Sequence, residues 1–478
     1  MLNILKKHTG VWAIIIVLTG ATACHKDKNQ EANPVNDWIL ENMQISYLWE
    51  DKIPAQTDKT LNPDDYFESL LYRAEDRFSW IVENYVDLVN SFSGITKEAG
   101  YDFGLAWADN NKVNVVGYIT YVKPNSPAEE AGLQRGDRFL TINKQQMTRN
   151  NYLNLIDKTG EAHTLGVKNT VTNKITDVSL SVVVYEENPI LLDTVYTIDG
   201  KKIGYIVYNF FAPDNGDGSK SYEKQLNTIF AHFKSTAIDE LVLDLRYNGG
   251  GYISTAVVLA GMISNCTSQD LFGYEQYNAI LAGYFRKEDP DFDKIYFEEV
   301  ITAYNAKGQV IASTPIAHLD AKRLYVLTSS NTASSSELVI NSLYPYLNSI
   351  VLVGDTTSGK NVGSITIYEE DPVKQQSNKW GMQPIVLKSA NKDGFSDYGK
   401  GFNPDIPIIE LDYPILPLGD TEEPMLQAAI DHILGRPSRL NRTRSNIGQY
   451  KHLGSSIDRT PARRNMLVSP QKFEKWSK

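Results

Sequence analysis

The serines of the turn Asn331 to Ser336 and the lysine at position 360 are the residues best suited to do chemistry in this chain. Three serines, Ser334 to Ser336, end this turn of small residues, and Lys360 follows in a later loop. A serine hydroxyl becomes a nucleophile when a neighbouring base takes its proton, and a neutral lysine amine can be that base. An exposed lysine titrates near ~10.4, so such a site must lower the lysine pKa by several units through burial. The pair therefore indicates covalent catalysis by an activated serine.

The elements around this pair predict how it is positioned. An apolar strand, Leu324 to Leu327, precedes the turn, and a helical pattern with an apolar stripe starts at Glu337. A second apolar strand, Ile350 to Val353, opens into the loop that ends at Lys360. A strand–helix–strand unit of this length can place its strands side by side in a parallel sheet. The serine turn and Lys360 are then expected together at one sheet edge, where sites in such sheets lie.

Two other interpretations use the same residues. A serine before a helix can be a simple N-cap, and a loop lysine can be merely solvated. The stretch from Gly354 to Lys360 also reads G-x-x-x-x-G-K, one residue short of a phosphate-binding loop. Asn361 stands where that loop needs Ser or Thr, and Val362 to Tyr368 alternates like a strand instead of starting a helix. The phosphate loop is therefore disfavoured, whereas the capping interpretation stays open.

The two motifs together resemble the catalytic segment of the C-terminal processing peptidases, also called tail-specific proteases. That family has S-A-S-A-S-E, a helix and a strand, and then G-E-x-x-x-G-K; this chain has T-A-S-S-S-E and V-G-D-T-T-S-G-K. The resemblance implies a serine endopeptidase in which Ser334 is the nucleophile and Lys360 its base. Thr332 replaces the family's first serine, and Leu343 to Tyr346 lacks the acid that members often carry late in the helix. Support for Lys360 is therefore expected from another residue.

A run of three glycines is a second candidate part of the site. The apolar strand Leu241 to Arg246 leads into the loop Tyr247 to Gly251 and then into a helical pattern. Glycines let the backbone approach a ligand, and N–H groups at a helix start stabilise negative charge. A nucleotide-binding loop is the rival, but its G-x-G-x-x-G pattern is absent. In the peptidase family D-L-R-x-N-x-G-G supplies part of the oxyanion hole, which implies donation by the N–H groups of Gly249 or Gly250 and of Ser335.

A second domain is indicated by the string from Ser126 to Asp137, S-P-A-E-E-A-G-L-Q-R-G-D. Ser126 is expected to cap a short helix that ends at Gly132. The string resembles a PDZ domain, a fold that binds the ends of chains by adding a strand to an open sheet edge. A purely structural β-domain is the alternative. The resemblance implies that the terminal carboxylate of a protein or peptide substrate is received by the loop of Phe103, Gly104 and Leu105.

The N-terminus has the features of a secretory signal. Lys6 and Lys7 precede an apolar run from Val11 to Leu18, which is too short to span a membrane. The small residues that end at Cys24 resemble a bacterial lipoprotein cleavage site, with Ala21 where leucine is commonest. The resemblance implies that Cys24 is lipidated. The chain is then expected in the cell envelope, anchored on the periplasmic or outer-surface face of a Gram-negative-type membrane.

Composition limits the remaining possibilities. The chain has 478 residues, of which 42% are hydrophobic, enough for several domains. Its net charge of −11 argues against a general nucleic-acid binder, and no cluster of Cys and His has the spacing of a metal site. No metal and no cofactor are predicted. None of the seven histidines lies in the motifs, which favours a Ser-Lys dyad over a Ser-His-Asp triad.

These observations predict an α/β catalytic core, which the resemblance implies to be crotonase/Clp-protease-like, with a PDZ β-domain and an N-terminal helical domain. Asp76 to Trp80 resembles the segment that precedes the PDZ domain in the peptidase family. The C-terminal tail carries eleven Lys or Arg against two acids and is predicted to be disordered. The alternative function is a non-catalytic peptide- or ligand-binding lipoprotein that keeps the fold. The predicted divisions are a signal peptide (1–23), a lipidated tether (24–35), the helical domain (36–92), the PDZ domain (93–185), the peptidase core (186–435) and the tail (436–478).

Overall fold

The computed structural model describes residues 31–168, 174–305, 307–437, 439, 452–459, 463 and 465–468. The predicted signal peptide and Cys24 lie outside these residues. Within the described residues, no helix is long and apolar enough to cross a membrane.

The N-terminal domain packs short helices and one strand against the catalytic core. Its elements are α1 (Pro34–Ser46), α2 (Pro63–Ser69), β1 (Trp80–Val82) and α3 (Tyr85–Phe92). Asn33 caps α1 through its side chain, and Pro34 takes the first helical position. Ile39 and Met43 of α1 are fully buried in the main hydrophobic core. The region is not purely helical, because β1 pairs with a strand of the core at Gly381–Gln383.

The PDZ domain follows as an antiparallel sheet with short helices. Ser126 caps α4 as predicted, since its hydroxyl accepts the N–H of Glu129 at 3.3 Å. The hydrophobic core of this domain is separate from that of the α/β core and includes Phe103, Phe139 and Leu165. The elements are β2 (Ile95–Glu98), β3 (Tyr101–Trp107), β4 (Val115–Val122), α4 (Pro127–Glu130), β5 (Arg138–Ile142), β6 (Gln145–Gln146), α5 (Tyr152–Asp157), β7 (His163–Lys168), β8 (Ile175–Leu180) and β9 (Val183–Glu186).

The catalytic core alternates strands and helices. Up to the serine turn its elements are β10 (Ile190–Ile198), β11 (Lys201–Tyr208), α6 (Ser221–Thr236), β12 (Glu240–Asp244), β13 (Gly251–Tyr252), α7 (Ile253–Ile263), β14 (Leu271–Tyr277), α8 (Ala279–Glu288), β15 (Lys294–Tyr296), β16 (Val300–Tyr304), β17 (Val310–Pro315) and β18 (Arg323–Thr328). After the turn they are α9 (Ser335–Leu343), β19 (Ser349–Gly354), β20 (Val362–Ser364), β21 (Ile367–Tyr368), β22 (Gly381–Gln383), β23 (Ile385–Asn391), β24 (Ile406–Pro407) and α10 (Pro424–Ile433).

The main sheet runs in the order β10-β11-β12-β18-β19-β24. Strands β11, β12, β18, β19 and β24 are parallel, and β10 is antiparallel at one edge. The parallel pairing of β18 with β19 through α9 confirms the predicted strand–helix–strand unit. Strands β20 and β21 follow the Lys360 loop where a phosphate-binding loop would need a helix, so that interpretation is wrong. The carboxyl ends of β12, β18 and β19 therefore meet at one edge, which carries the site.

A buried charge cluster joins the PDZ domain to this edge. Arg135, which precedes β5, pairs with Glu410 of the core at 2.5 Å. Arg246, which follows β12, pairs with Glu410 at 3.0 Å and with Glu423 at 2.7 Å. Burial acts to raise the pKa of Glu410, but Arg135 and Arg246 outweigh it and lower that pKa to about 2. The glycine loop is therefore fixed to both domains by charge-assisted hydrogen bonds.

The prediction of a disordered tail is wrong for the part of the tail that the structure describes. We call residues 452–459, 463 and 465–468 the C-terminal segment. It contributes β25 (His452–Ser455), which pairs with β3 of the PDZ domain, and β26 (Met466–Leu467), which lies between β13 and β20 of the core. The segment has no apolar periodicity because it adds strands to existing sheets instead of building a core of its own.

Candidate active site

Ser334 lies in a strained turn between β18 and α9. It is the N-cap of α9, with φ +64° and ψ −117°. A residue with a side chain rarely adopts this conformation, and the strain of about 1–3 kcal/mol persists only where surrounding contacts hold it. Ser334 is fully buried, and it forms a capping box with Glu337 in which its hydroxyl has no close hydrogen-bond partner among the described residues. The backbone strain, which a cap does not require, argues against the simple N-cap interpretation.

Glu337 connects the serine turn to the lysine loop. One oxygen of its buried carboxylate accepts the N–H of Ser334 at 2.9 Å and the N–H of Lys360 at 2.8 Å. The other oxygen accepts the N–H of Gly359 at 2.7 Å and the hydroxyl of Thr357 at 2.5 Å. Burial raises the pKa of Glu337, and these four hydrogen bonds act against that rise. A single carboxylate thus fixes the backbone of both predicted catalytic residues.

Lys360 is fully buried and is held partly by the N-terminal domain. Its ammonium nitrogen lies 4.9 Å from the ring centroid of Phe78, a cation–π distance. Phe78 belongs to the segment Asp76 to Trp80. Arg77 of this segment donates hydrogen bonds to the carbonyls of Gly359 at 2.9 Å and Gly399 at 3.0 Å. The segment that resembled a family motif therefore positions the lysine loop.

The glycine loop packs directly on the serine turn. Asn248 accepts the N–H of Ala333 at 3.1 Å and the hydroxyl of Ser336 at 3.1 Å through its carbonyl. A Cβ built on Gly250 would lie 2.6 Å from the Cβ of Ser334, and Gly250 has φ +111°. Only glycine allows this approach without strain. The loop and the nucleophile turn are thus one packed unit.

Of the predicted oxyanion donors, the N–H group of Gly250 is engaged elsewhere. The N–H of Gly250 donates to the side chain of Asn248 at 2.9 Å, so in this structure it does not point at a substrate. The N–H of Gly251 instead donates to the carbonyl of Asn465 in the C-terminal segment at 2.5 Å. Gly249 and Ser335 stay predictions for the oxyanion hole. Gly251 is a donor that the sequence did not single out.

Asn465 brings the C-terminal segment into the site. Its side-chain oxygen accepts a hydrogen bond from the ammonium of Lys360 at 3.3 Å. A Cβ built on Gly250 would touch the backbone oxygen of Asn465 and would lie 2.9 Å from the Oγ of Ser334. Both atoms therefore border the same small space beside Gly250. The structure therefore brings Ser334, Lys360 and a peptide group together.

The predicted PDZ loop is part of a strand. Phe103, Gly104 and Leu105 lie inside β3, whose outer edge is paired with β25. The N–H of Phe103, predicted to receive a carboxylate, donates to the hydroxyl of Ser456 at 3.1 Å. The sheet edge at which substrate ends were predicted to bind is thus occupied by the chain itself.

Other predicted features give no further site. Cys24, the predicted lipidation residue, lies outside the described residues. Among those residues, no group of three or more His, Cys, Asp or Glu side chains could hold a metal ion.

The fold and the site define a serine peptidase that carries a PDZ domain, and comparison with known families agrees. The profile "Peptidase family S41" matches residues 202–408, and "Peptidase S41 N-terminal domain" matches residues 34–80. A PDZ domain profile matches residues 118–169. The chain belongs to peptidase family S41 and is a serine-type peptidase.

Individual proteins support the same assignment. A carboxyl-terminal-processing protease of Picosynechococcus sp. is 26% identical over 335 residues, which are 66% of this chain and 70% of that protein. The carboxy-terminal processing protease CtpB of Bacillus subtilis is 25% identical over 334 residues, 68% of this chain and 57% of that protein. A crystal structure described as an S41 protease of Bacteroides fragilis has a TM-score of 0.64 and 27% identity, over 83% of this chain and 97% of that one.

The residues whose roles the sequence did not reveal contact the proposed catalytic residues or the loops that carry them. The carboxylate of Glu337 was noted only as part of a motif, and the signal for its role was its place three residues after Ser334, where a helix N-terminus favours an acid. Arg77 and Phe78 also lay in a motif noted from the sequence. Their partners in the lysine loop are distant in sequence, with 282 positions between Arg77 and Gly359, so no local pattern predicted these contacts. Asn465 carried no signal, because nothing in the tail predicted order.

Proposed function

We propose that this chain is a Ser-Lys endopeptidase of the cell envelope that cleaves protein or peptide substrates selected through their C-terminal ends. The observation that carries the proposal is the carboxylate of Glu337, which binds the N–H groups of Ser334 and Lys360 through one oxygen. A carboxylate that serves only an N-cap has no need to hold a buried lysine loop as well. The shared oxygen supports a nucleophile and a base that act as a unit.

The chemistry is acyl transfer in two halves. Neutral Lys360 takes the proton of the Ser334 hydroxyl while Oγ forms a bond to the substrate carbonyl carbon. Backbone N–H groups of the glycine loop stabilise the resulting oxyanion, an effect worth about 3 kcal/mol per donor. The C–N bond then breaks, and the Lys360 ammonium gives its proton to the leaving amine. Water hydrolyses the acyl-enzyme by the same route and returns the proton to Ser334.

The PDZ domain supplies the selection step. An extended substrate end would add to the outer edge of β3, next to Phe103. A cavity of about 270 Å³ lies between this strand and the glycine loop, lined by residues of both, including Asp102, Phe103, Gly250 and Gly251. A chain bound at the PDZ edge can thus continue toward Ser334. Lipidation of Cys24 would hold this machinery at the membrane, with substrates in the envelope.

The test is labelling of the purified protein with a fluorophosphonate, which reacts only with activated serines. We expect labelling of the wild type and its loss in both Ser334→Ala and Lys360→Ala, each checked for an unchanged melting temperature. Labelling that survives in Lys360→Ala would contradict the dyad. A wild type that binds peptides with free C-terminal ends, but is never labelled or cleaves none of them, would favour the non-catalytic binding protein.

A further inference from the structure

The PDZ strand edge is occupied by the chain's own C-terminal segment. β25 runs antiparallel to β3, with Gly454 opposite Leu105 and Ser455 opposite Gly104. Beyond the strand, the N–H of Ser456 donates to the carbonyl of Phe103 at 2.8 Å, and the Ser456 hydroxyl accepts the N–H of Phe103. The strand pairing and the Ser456 N–H contact are backbone contacts of the kind that an added peptide strand makes with a PDZ domain, and the hydroxyl of Ser456 adds a side-chain contact.

Arg463 anchors the segment in an acidic subsite. Its guanidinium donates to Asp102 at 2.5 Å and to Glu187 at 2.6 Å. Lys123 is fully buried in the same cluster, 2.7 Å from Glu98 and 2.6 Å from Glu187. Burial acts to raise the pKa of Asp102, but Arg463 and Lys123 outweigh it and hold that pKa well below its ordinary value. Without Arg463, three carboxylates would face the single ammonium of Lys123.

The segment then enters the catalytic groove as a substrate would. β26 is parallel to both β13 and β20, with Met466 opposite Gly251 and Leu467 opposite Ser364. The backbone carbonyl of Asn465 accepts the N–H of Gly251, and its side-chain oxygen accepts a hydrogen bond from the ammonium of Lys360. Met466 and Leu467 are buried. The proposed base is thus bonded to the segment, and the Ser334 hydroxyl is bonded to no described residue.

We propose that the C-terminal segment is an internal ligand of the peptide path that slows the peptidase until a substrate with a basic side chain displaces it. The proposal rests on the function proposed above. The chemistry of the displacing peptide follows from the subsite. Asp102 and Glu187 are buried, Glu98 is partly exposed beside them, and the three carboxylates outnumber Lys123, so a competing chain must bring an arginine or lysine to this position.

Binding measured without catalysis gives the first test. In a Ser334→Ala background, a fluorescent peptide with the sequence of residues 452–468 reports how open the path is. Arg463→Ala should weaken the internal ligand, and the peptide should then bind about tenfold more tightly, because apparent affinity scales with the open fraction. Arg463→Lys should stay near the parent. Equal affinity of the peptide for the Arg463→Ala and parent proteins would overturn the proposal.

Arg439→Ala is the matched control. Arg439 belongs to the same basic tail, but its half-exposed side chain pairs with the buried carboxylate of Asp431 in α10 of the core. We expect no change in peptide affinity for this variant. A gain equal to that of Arg463→Ala would make the effect one of general tail charge and would overturn the subsite.

Activity gives the second test and separates this proposal from the proposed function. In the protein that keeps Ser334, the Arg463→Ala variant should be labelled by fluorophosphonate about tenfold faster than the wild type. The peptide of residues 452–468 should slow that labelling, and a version with alanine at position 463 should do so less. Tighter peptide binding without any labelling would refute the peptidase function and leave the internal ligand standing. An intact mass that reveals cleavage inside residues 452–468 of the wild type would make the segment a substrate and overturn its inhibitory role.

Discussion

At the residue scale, one buried carboxylate, that of Glu337, holds the backbone of both proposed catalytic residues. The roles of Ser334 and Lys360 were predicted from their match to a family motif, and the structure brings both beside Asn465 and the glycine loop. The four hydrogen bonds of Glu337 could not be predicted, because they depend on how two loops fold onto one helix end. Spacing along a chain constrains which residues can meet, whereas hydrogen bonds between loops need coordinates.

Glu337→Gln hardly changes the size of the side chain, yet it should disturb the site strongly. All four partners of Glu337 donate, so the amide nitrogen of glutamine would face two donors and leave them unsatisfied. Each buried unsatisfied group costs about 1–3 kcal/mol, and misplacing the two loops should slow Ser334 labelling about 100-fold. Labelling kinetics and thermal unfolding check both effects.

Glu223→Gln is the control for that variant. Glu223 is equally buried, on α6, where it accepts the hydroxyl of Thr255 at 2.8 Å and pairs with Lys220 at 3.3 Å. It should lose stability with an unchanged labelling rate. Equal slowing in both variants would mean that Glu337 acts through stability alone.

Gly250→Ala should inactivate the enzyme through a single methyl group. At φ +111° a side chain is strained, and its Cβ would lie 2.6 Å from that of Ser334. We expect labelling of Ser334 to fall about 100-fold, the scale for a small displacement of reacting groups. Gly200→Ala offers the comparison, since Gly200 has φ +79° in a hairpin turn with nothing near its Cβ. It should cost stability only; similar loss of labelling in both would point to backbone strain instead of the contact.

At the element scale, the sequence was most informative where elements are local. The strand–helix–strand unit and the cap of α4 by Ser126 follow from apolar periodicity and capping, and the structure has them. Phe103 to Leu105 lie in a strand instead of a loop, because their conformation is set by pairing with β4 and β25. Pairing partners distant in sequence leave no local signal.

The contact between the PDZ domain and the core should weaken in acid. The folded-state pKa of Glu410, about 2, lies below its ordinary value of 4.5, so this group stabilises the fold above about pH 4.5. That contribution is lost as the pH falls from about 4.5 toward 2, when Glu410 becomes protonated. Melting temperatures of the wild type should drop through this window, and those of Glu410→Gln should drop less. If the melting temperatures of the two proteins fell in parallel with pH, Glu410 would not be the group responsible for the acid sensitivity.

At the scale of the whole molecule, the proposed peptide path crosses two domains. It runs from the outer edge of β3, past the acidic subsite of Glu98, Asp102 and Glu187, to Ser334. Composition predicted a disordered tail because basic, weakly apolar sequence cannot build its own core. The C-terminal segment is ordered because other elements supply its strand partners and its countercharges. A tail of this kind can be judged only together with the surface it binds.

The most direct test of the account is to trap the acyl-enzyme. Wild type and Arg463→Ala are incubated with an activated peptide ester, quenched in acid and digested with trypsin for mass spectrometry. The account predicts one acyl group on the peptide Leu324–Lys360 at Ser334, more in Arg463→Ala than in the wild type, and none when Lys360 is replaced by alanine. An acyl group on another residue, or acylation of Ser334 that persists in Lys360→Ala, would contradict a Ser-Lys peptidase.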